Sequence, residues 1–377
     1  MFCPNCGKEV SERTKYCPDC GAILSGKADG KVKNSSRKTM ILFFIGLALV
    51  IAIIFFYKIF VASNEMRALP VKISGKWGFI DKSGRLVINP QFDEALAFTD
   101  GLAAVKIGGK WGYIDKGGNL VINPQFDWAG SFSEGLAAVD IDGKHGFIDK
   151  RGKIKINLQF NNICEFFNGL AAVEIGGKWG FIDKMGKIKI NPQFDEMSTG
   201  RMYFNEGLAA VKIGGKIGFI DKNGKMVISP QFDDSRSIWG FSTGLAAVKI
   251  GGKWGYIDKG GNLVINPQFD WADSFSEGLA AVRVREKIGF IDKKGNIIIY
   301  PLFDEAWRFY DGIAPVVMDG KWGFIDKKGK MIISAQYDFT FGFYYLMNLA
   351  PVEMNGEWGF INKKGKIVVK PEYEDVR

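Results

Sequence analysis

Between residues 68 and 377, short apolar runs are separated by two kinds of turn, and the order of runs and turns repeats. In one copy, Leu102-Ala-Ala-Val-Lys-Ile107 leads into Gly108-Gly109, Lys110-Trp-Gly-Tyr-Ile114 into Asp115-Lys-Gly-Gly118, and Leu120-Val-Ile122 into Asn123-Pro124-Gln125-Phe126-Asp127. Runs this short, rich in β-branched and aromatic residues and bounded by Gly, Asn and Asp, read as strands. The first turn recurs as Ser74-Gly75, Gly108-Gly109, Asp142-Gly143, Gly176-Gly177, Gly214-Gly215, Gly251-Gly252, Asp319-Gly320 and Asn355-Gly356, and only Arg285-Glu286 breaks the rule. A two-residue hairpin requires positive φ, which these dipeptides supply. The second turn is D-K-x-G, with Asn362 replacing Asp in the last copy. Its Asp accepts from backbone amides and its Gly adopts the left-handed conformation. Each unit is therefore expected to be a three-stranded antiparallel meander.

The residue filling the Trp position in successive copies is Trp77, Trp111, His145, Trp179, Ile217, Trp254, Ile288, Trp322 and Trp358, at steps of 34, 34, 34, 38, 37, 34, 34 and 36 residues. A period in this range implies units that bury their apolar faces against their neighbours. Apolar side chains point to both faces of the strands, Trp111 and Tyr113 to one and Ile114 to the other, as a stacked array requires. The joints between units, such as Trp128 to Glu134, vary, and often end in F-x-x-G: Phe98–Gly101, Phe132–Gly135, Phe241–Gly244 and Phe275–Gly278. Segments Lys106–Val139 and Lys249–Val282 differ at one position only, Gly130 against Asp273, which points to duplication of a block of units. The expected fold class is all-β: an array of about nine three-stranded meanders in an open, solenoid-like stack. Closure into a propeller is the alternative if the F-D-x-A-x-x-F joint hides a fourth strand, since propeller blades have four strands and usually number four to eight.

Ahead of the array, Thr39–Tyr57 (TMILFFIGLALVIAIIFFY) is uncharged, and the apolar run resumes after Lys58 to Ala62. At 1.5 Å per residue, residues 39–62 would cross a hydrocarbon core of about 30 Å as one transmembrane helix. Lys27, Lys31, Lys33, Arg37 and Lys38 flank its N-terminal side, against Lys58 and Arg67 on the other. The positive-inside rule then places the N-terminus in the cytoplasm and the repeats outside, a single-pass membrane insertion. The domains expected are a zinc site at 1–22, a basic flexible linker at 23–38, the helix at 39–62, a short linker at 63–67 and the array at 68–377. The formal charge of +9 is concentrated at the start: residues 1–38 hold eight Lys/Arg against four acids. The array has no basic stripe able to track a phosphate backbone, so nucleic acid is not an expected partner.

Four of the five cysteines form two pairs, Cys3-Pro4-Asn5-Cys6-Gly7 and Cys17-Pro18-Asp19-Cys20-Gly21. Two C-x-x-C knuckles at this spacing can close a tetrahedral thiolate site for one structural Zn²⁺. Disulfides are disfavoured on the cytoplasmic side. Residues 2–22, with all four Cys and both Gly, resemble the short zinc-ribbon domain at the N-terminus of many bacterial membrane proteins, a family in which the metal is structural. So short a segment cannot bury a core, so the ion is expected to supply most of its folding free energy.

The motif K-W-G-F-I-D-K-x-G makes residues 68–377 resemble the bacterial WG (KWG) repeat. That resemblance implies an all-β repeat region, often in surface or membrane-linked bacterial proteins, with no enzymatic activity attached to the repeat. His145, Ile217 and Ile288 depart from it.

Candidate chemistry in the array is sparse. The repeated turn residues Asp81, Asp115, Asp149, Asp183, Asp221, Asp258, Asp292 and Asp326 read as caps, since a calcium site would carry several carboxylates per turn. His145 is the single histidine, so no His-dependent triad can form. Cys164 aligns with Gly130 and reads as a packed thiol rather than a nucleophile. Because Ile is accepted in the Trp position, that position reads as an apolar wedge rather than a sugar-stacking shelf. The candidate partner contacts are the aromatics of the joints: Trp128, Trp239, Trp271, Trp307, Tyr344 and Tyr345. The function expected is a non-enzymatic, membrane-anchored interaction or adhesion scaffold whose partner is an unknown protein. The alternatives are binding of a cell-envelope glycan and signal transduction through the zinc ribbon.

Overall fold

The structure is a computed structural model describing residues 1–11, 14, 16–24, 68–195, 204–233, 240–343 and 348–376. The chain divides into two compact units, 1–65 and 66–377. The described part of the larger unit is all strand and turn. Among the described residues no helix is long and apolar enough to cross a membrane. The expected transmembrane segment, 39–62, lies outside them.

Blade 1 contains β1 (Leu69–Ile73), β2 (Lys76–Ile80) and β3 (Leu86–Phe92). Blade 2 contains β4 (Glu94–Ala95), β5 (Ala103–Ile107), β6 (Lys110–Ile114) and β7 (Leu120–Phe126), hydrogen-bonded in that order. Blades 3 to 9 follow at 128–160, 162–194, 208–233, 246–269, 271–303, 305–337 and 339–373. Seven blades have four strands; blades 5 and 6 show three among the described residues.

The expected three-stranded meander is therefore corrected to a four-stranded blade. The extra strand comes from the joint: Glu94 and Ala95 pair with Lys106 and Val105. Its turn is a second two-residue hairpin, in which Thr99 N–H and Leu102 N–H donate to each other's carbonyl at 2.9 and 3.0 Å. Asp100 and Gly101 both have positive φ, 50° and 88°. The joint Trp128 to Glu134 is likewise the strand Trp128–Ser133. The Phe of F-x-x-G packs across the seam on the third-strand aromatic of the preceding blade: Phe79 on Phe98, Tyr113 on Phe132, Phe147 on Phe166 and Tyr256 on Phe275, with ring centres 4.7–4.9 Å apart. Burying each such ring stabilises the seam by roughly 1.5–3 kcal/mol.

The open stack is corrected as well. Asp375–Val376 pairs with Lys72 and Val71 of β1, supplying blade 1 with its fourth strand. Each joint described in full gives a strand to the blade that follows it, and Asp375–Val376, after blade 9, gives its strand to blade 1. Closure leaves no unsealed end to the array, which is why the ring wins over a stack. A second contact confirms it. The Gly of each D-K-x-G turn abuts a fourth-strand Ile of the preceding blade, as Gly118 does Ile88 and Gly152 does Ile122, and Gly84 of blade 1 abuts Val369 of blade 9. The protein is a nine-bladed propeller. At the closing seam, Val71 and Ile80 of blade 1 pack with Trp358 and Phe360 of blade 9.

Candidate functional site

The first 24 residues fold as two superposable knuckles. In each, the amide of the first cysteine donates to a later carbonyl (Cys3 to Lys8, Cys17 to Ala22, both 2.8 Å), and Gly7 or Gly21, with φ of 75° or 70°, returns its amide to that cysteine's carbonyl. Phe2–Glu9 and Tyr16–Ile23 bridges close the loops, and Val10 and Leu24 cover the inner face, so the unit extends to Leu24. Lys8 and Asp19 pair across the knuckles at 2.9 Å. Cys3 and Cys17 are buried; Cys6 and Cys20 are exposed.

The sulfurs of Cys3, Cys6, Cys17 and Cys20 lie within 4.8 Å of one another, with Cys3–Cys20 and Cys6–Cys17 at 3.6 Å. That is far longer than the roughly 2.05 Å of a disulfide. It is close to the edge of about 3.8 Å that four Zn–S bonds of ~2.3 Å generate in a tetrahedron. The Ala22 amide, followed by the Cys6 thiol, pulls the Cys20 thiol down to about 6. The donor set fits Zn²⁺, which all four cysteines would hold.

The Trp position is a wedge, as the sequence implied. Trp77, Trp111, Trp254, Trp322 and Trp358 are buried, and Ile217 and Ile288 are equally so. Trp179 and His145 are half-buried, and His145 is the polar exception. Its Nε2 lies 3.6 Å from Asp140 Oδ2, and its Nδ1 and that Oδ2 are buried without a hydrogen-bond partner. The repeated Asp residues are caps: Asp115 Oδ1 accepts the amides of Gly117 and Asn119, both at 2.9 Å. Cys164 is half-buried against the cluster containing Phe181 and Phe204.

A second acidic position, unassigned from sequence, joins blade to blade. The Asp after the fourth strand takes the Lys that opens its own third strand, as in Lys76–Asp93 (2.5 Å) and Lys216–Asp233 (2.8 Å). Its other oxygen accepts an amide from the next blade's hairpin, Gly108 for Asp93 (2.8 Å) and Gly252 for Asp233 (3.1 Å). Glu374 closes the series on Gly75 at 3.0 Å. The Lys side chain, then the hairpin amide, holds Asp93, Asp195 and Asp233 below the usual carboxylate range.

Of the candidate contacts, Trp239, Tyr344 and Tyr345 lie outside the described residues. Trp128 is 43% exposed, its ring edge-on to His145. Trp271 and Trp307, on consecutive blades, line one cavity of about 160 Å³ at the seam of blades 7 and 8, together with Arg283, Ile288, Glu305 and Ala306. Trp307 also joins an aromatic cluster: its ring centre is 5.1 Å from Trp322 and 5.9 Å from Phe339. Phe341 stacks on Trp358 at 5.2 Å and 11° and is 45% exposed. Phe339 and Phe341 were not among the sequence candidates. Their signal was Phe339-Thr-Phe341 standing where another joint has Glu94-Ala-Leu96.

Comparison with known proteins agrees with this geometry. The family model for the WG containing repeat matches nine successive segments from residue 77 to residue 377, and the zinc-ribbon model matches residues 2–24. None of the curated proteins compared with the chain matches it. Among solved structures, a eukaryotic initiation factor aligns with a TM-score of 0.60 at 11% identity, covering 83% of this chain and 98% of that one. AztD from Citrobacter koseri aligns at 0.42 and 13%, covering 82% and 96%. The first of these likenesses supports the fold alone. With nine matched repeats over the whole propeller and four clustered cysteines ahead of it, the chain belongs to the WG-repeat family and carries an N-terminal zinc-ribbon domain.

Proposed function

We propose that the protein is a non-enzymatic interaction scaffold, anchored by residues 39–62, with the zinc ribbon in the cytoplasm and the propeller outside the membrane. One observation carries the reading: the side chains repeated around the ring are consumed by wedges, caps and rungs, while an aromatic cluster that, among the described residues, is confined to blades 8 and 9 reaches the surface at Phe341. Repeat surfaces with an exposed aromatic patch suit a macromolecular partner, and aromatic rings dominate the energetics of such contacts. The 39–62 segment has the length and apolarity of a single span, and the lysines before it set the orientation.

A photo-crosslinking residue at position 341 in intact cells should give a discrete protein adduct that the same residue at the exposed turn position Met185 does not. Retention on purified peptidoglycan in moderate salt, without such an adduct, would replace the protein partner by a cell-wall glycan. For orientation, Met185→Cys in a Cys164→Ser background should react with a membrane-impermeant maleimide in intact cells. Labelling only after lysis would reverse the topology.

A further inference from the structure

The cavity between blades 7 and 8 exists because of three coupled replacements. In blade 2 the corresponding positions are Glu94, Lys106 and Trp111. Lys106 Nζ lies 3.2 Å from Glu94 Oε1, its cross-strand partner, and over the Trp111 ring at 6.0 Å. In blade 7 those positions are Trp271, Arg283 and Ile288, in the same cross-strand register. Arg283 therefore has neither the carboxylate nor the indole that occupies its counterpart. Its Nε is buried with no hydrogen-bond partner. Asp270, whose carboxylate feels the Arg283 charge, is taken up by Lys253 and by the Arg285 amide. Glu305 of blade 8 stands in the Glu94 position, but its cross-strand residue is Val317 rather than a lysine. Arg283 and Glu305 thus line the same cavity, each without the in-blade partner that its blade 2 counterpart has.

The duplication sharpens the point. Blades 2 and 3 share a nearly identical block with blades 6 and 7, and it ends at Val139 and Val282. The next residue is Asp140 in one copy and Arg283 in the other, followed at the wedge by His145 and Ile288. The two copies share a scaffold and carry opposite charge at this position.

We propose that this cavity is a binding site for a small zwitterion, a free aliphatic α-amino acid. Its carboxylate would lie on the Arg283 guanidinium and its ammonium toward Glu305, with the aliphatic body between Trp271, Trp307 and Ile288. The Arg283 guanidinium, which lines the cavity and is unpartnered at Nε, matches a planar carboxylate through its fork of donors. Indole walls accept both an aliphatic body and an ammonium. A carboxylate on the opposite side favours a ligand with both charges over a bare anion. The volume suits a short side chain, since a cavity of about 150 Å³ holds a single benzene ring. The site shares Trp307 with the aromatic cluster that reaches the surface at Phe341, but Arg283, Ile288 and Glu305 stand outside that cluster, so failure of the titrations below would leave the scaffold reading intact, and failure of crosslinking at 341 would leave this one.

The test is isothermal titration of the full chain in detergent with L-valine, 3-methylbutanoate (valine without its amine) and 2-methylpropylamine (valine without its carboxylate). Valine should bind saturably with a Kd of about a millimolar or tighter. 3-Methylbutanoate should bind more weakly, and the amine not measurably. Arg283→Met should weaken valine at least about tenfold. Glu305→Gln should weaken valine but leave 3-methylbutanoate unchanged. Ile288→Trp installs the ring found at six other copies, so it should abolish binding while the unfolding midpoint is held. No saturable heat with valine, equal binding of valine and 3-methylbutanoate, or valine binding undiminished by Ile288→Trp would each overturn the proposal.

Discussion

Gly112, the glycine of the W-G pair, sits mid-strand rather than in a turn. A Cβ there would lie 2.5 Å from Ile122 O and 2.7 Å from Pro124 N, both backbone atoms of β7. The cause is a bulge: β6 and β7 pair at Trp111–Phe126 and again at Tyr113–Ile122, so β7 spends two extra residues opposite the glycine. The Asn-Pro of the fourth strand forms that bulge, and the glycine lets its backbone approach. Gly112→Ala must push the strands apart and is expected to cost about 2–3 kcal/mol. Ala at Gly117, where the nearest atoms belong to the side chains of Asn119 and Asp115, should cost much less. Chemical unfolding midpoints of the two variants would check this. If the two midpoints fall equally, close backbone approach does not explain the W-G pair.

At the scale of elements, the hairpins and the zinc knuckles differ in what makes them fold. Each blade hairpin is closed by its own turn chemistry, and even Arg285 adopts a φ of 58° in the copy that lacks glycine. Among the described residues, the core of the knuckles is Val10, Leu24 and the inner cysteines, with Ala22 packed against them. Metal removal is therefore expected to act on this element alone. Chelation should release one Zn²⁺ per chain, make four further thiols reactive, and leave the unfolding midpoint of the propeller unchanged. Elemental analysis with thiol titration checks the first two points, and calorimetry the third. The cluster of four cysteines was fully legible, because C-x-x-C spacing is a local property. Phe341 was not, because its exposure and its stacking on Trp358 depend on the neighbouring strands of blade 9.

Across the whole molecule, the ring is bonded by a series of carboxylates. Asp93, Asp127, Asp195, Asp233, Asp270 and Asp338 are each held below the ordinary range by a lysine and then by an amide of the next blade. Their folded values lie below the unfolded value of about 3.9. The stability they contribute is thus fully present above that value and lost as pH falls through the lower folded values. Acid titration should show the propeller midpoint flat from neutral pH to about 5, then falling steeply below about 4. Each rung is solvent-exposed and individually weak, so the fall should sum over many rungs, and added salt should lower the midpoint at neutral pH and shrink the fall. A midpoint independent of pH down to 2 would remove the carboxylates from the account of the seams.

Two-residue turns, D-K-x-G caps, nine repeats and two cysteine knuckles follow from residues a few positions apart, so the sequence alone determined them. Even the fourth strand had a local signal, the Asp100-Gly101 and Glu134-Gly135 hairpins before each L-A-A-V. Closure had none. It depends on a small rotation between blades summing to a full turn over nine copies, so that Asp375–Val376 meets Lys72 and Val71 some three hundred residues away. The seam cavity is of the same kind. Ile288 reads as a conservative exception in one repeat, and only the packing of Trp271 and Trp307 around it turns a missing ring into a site.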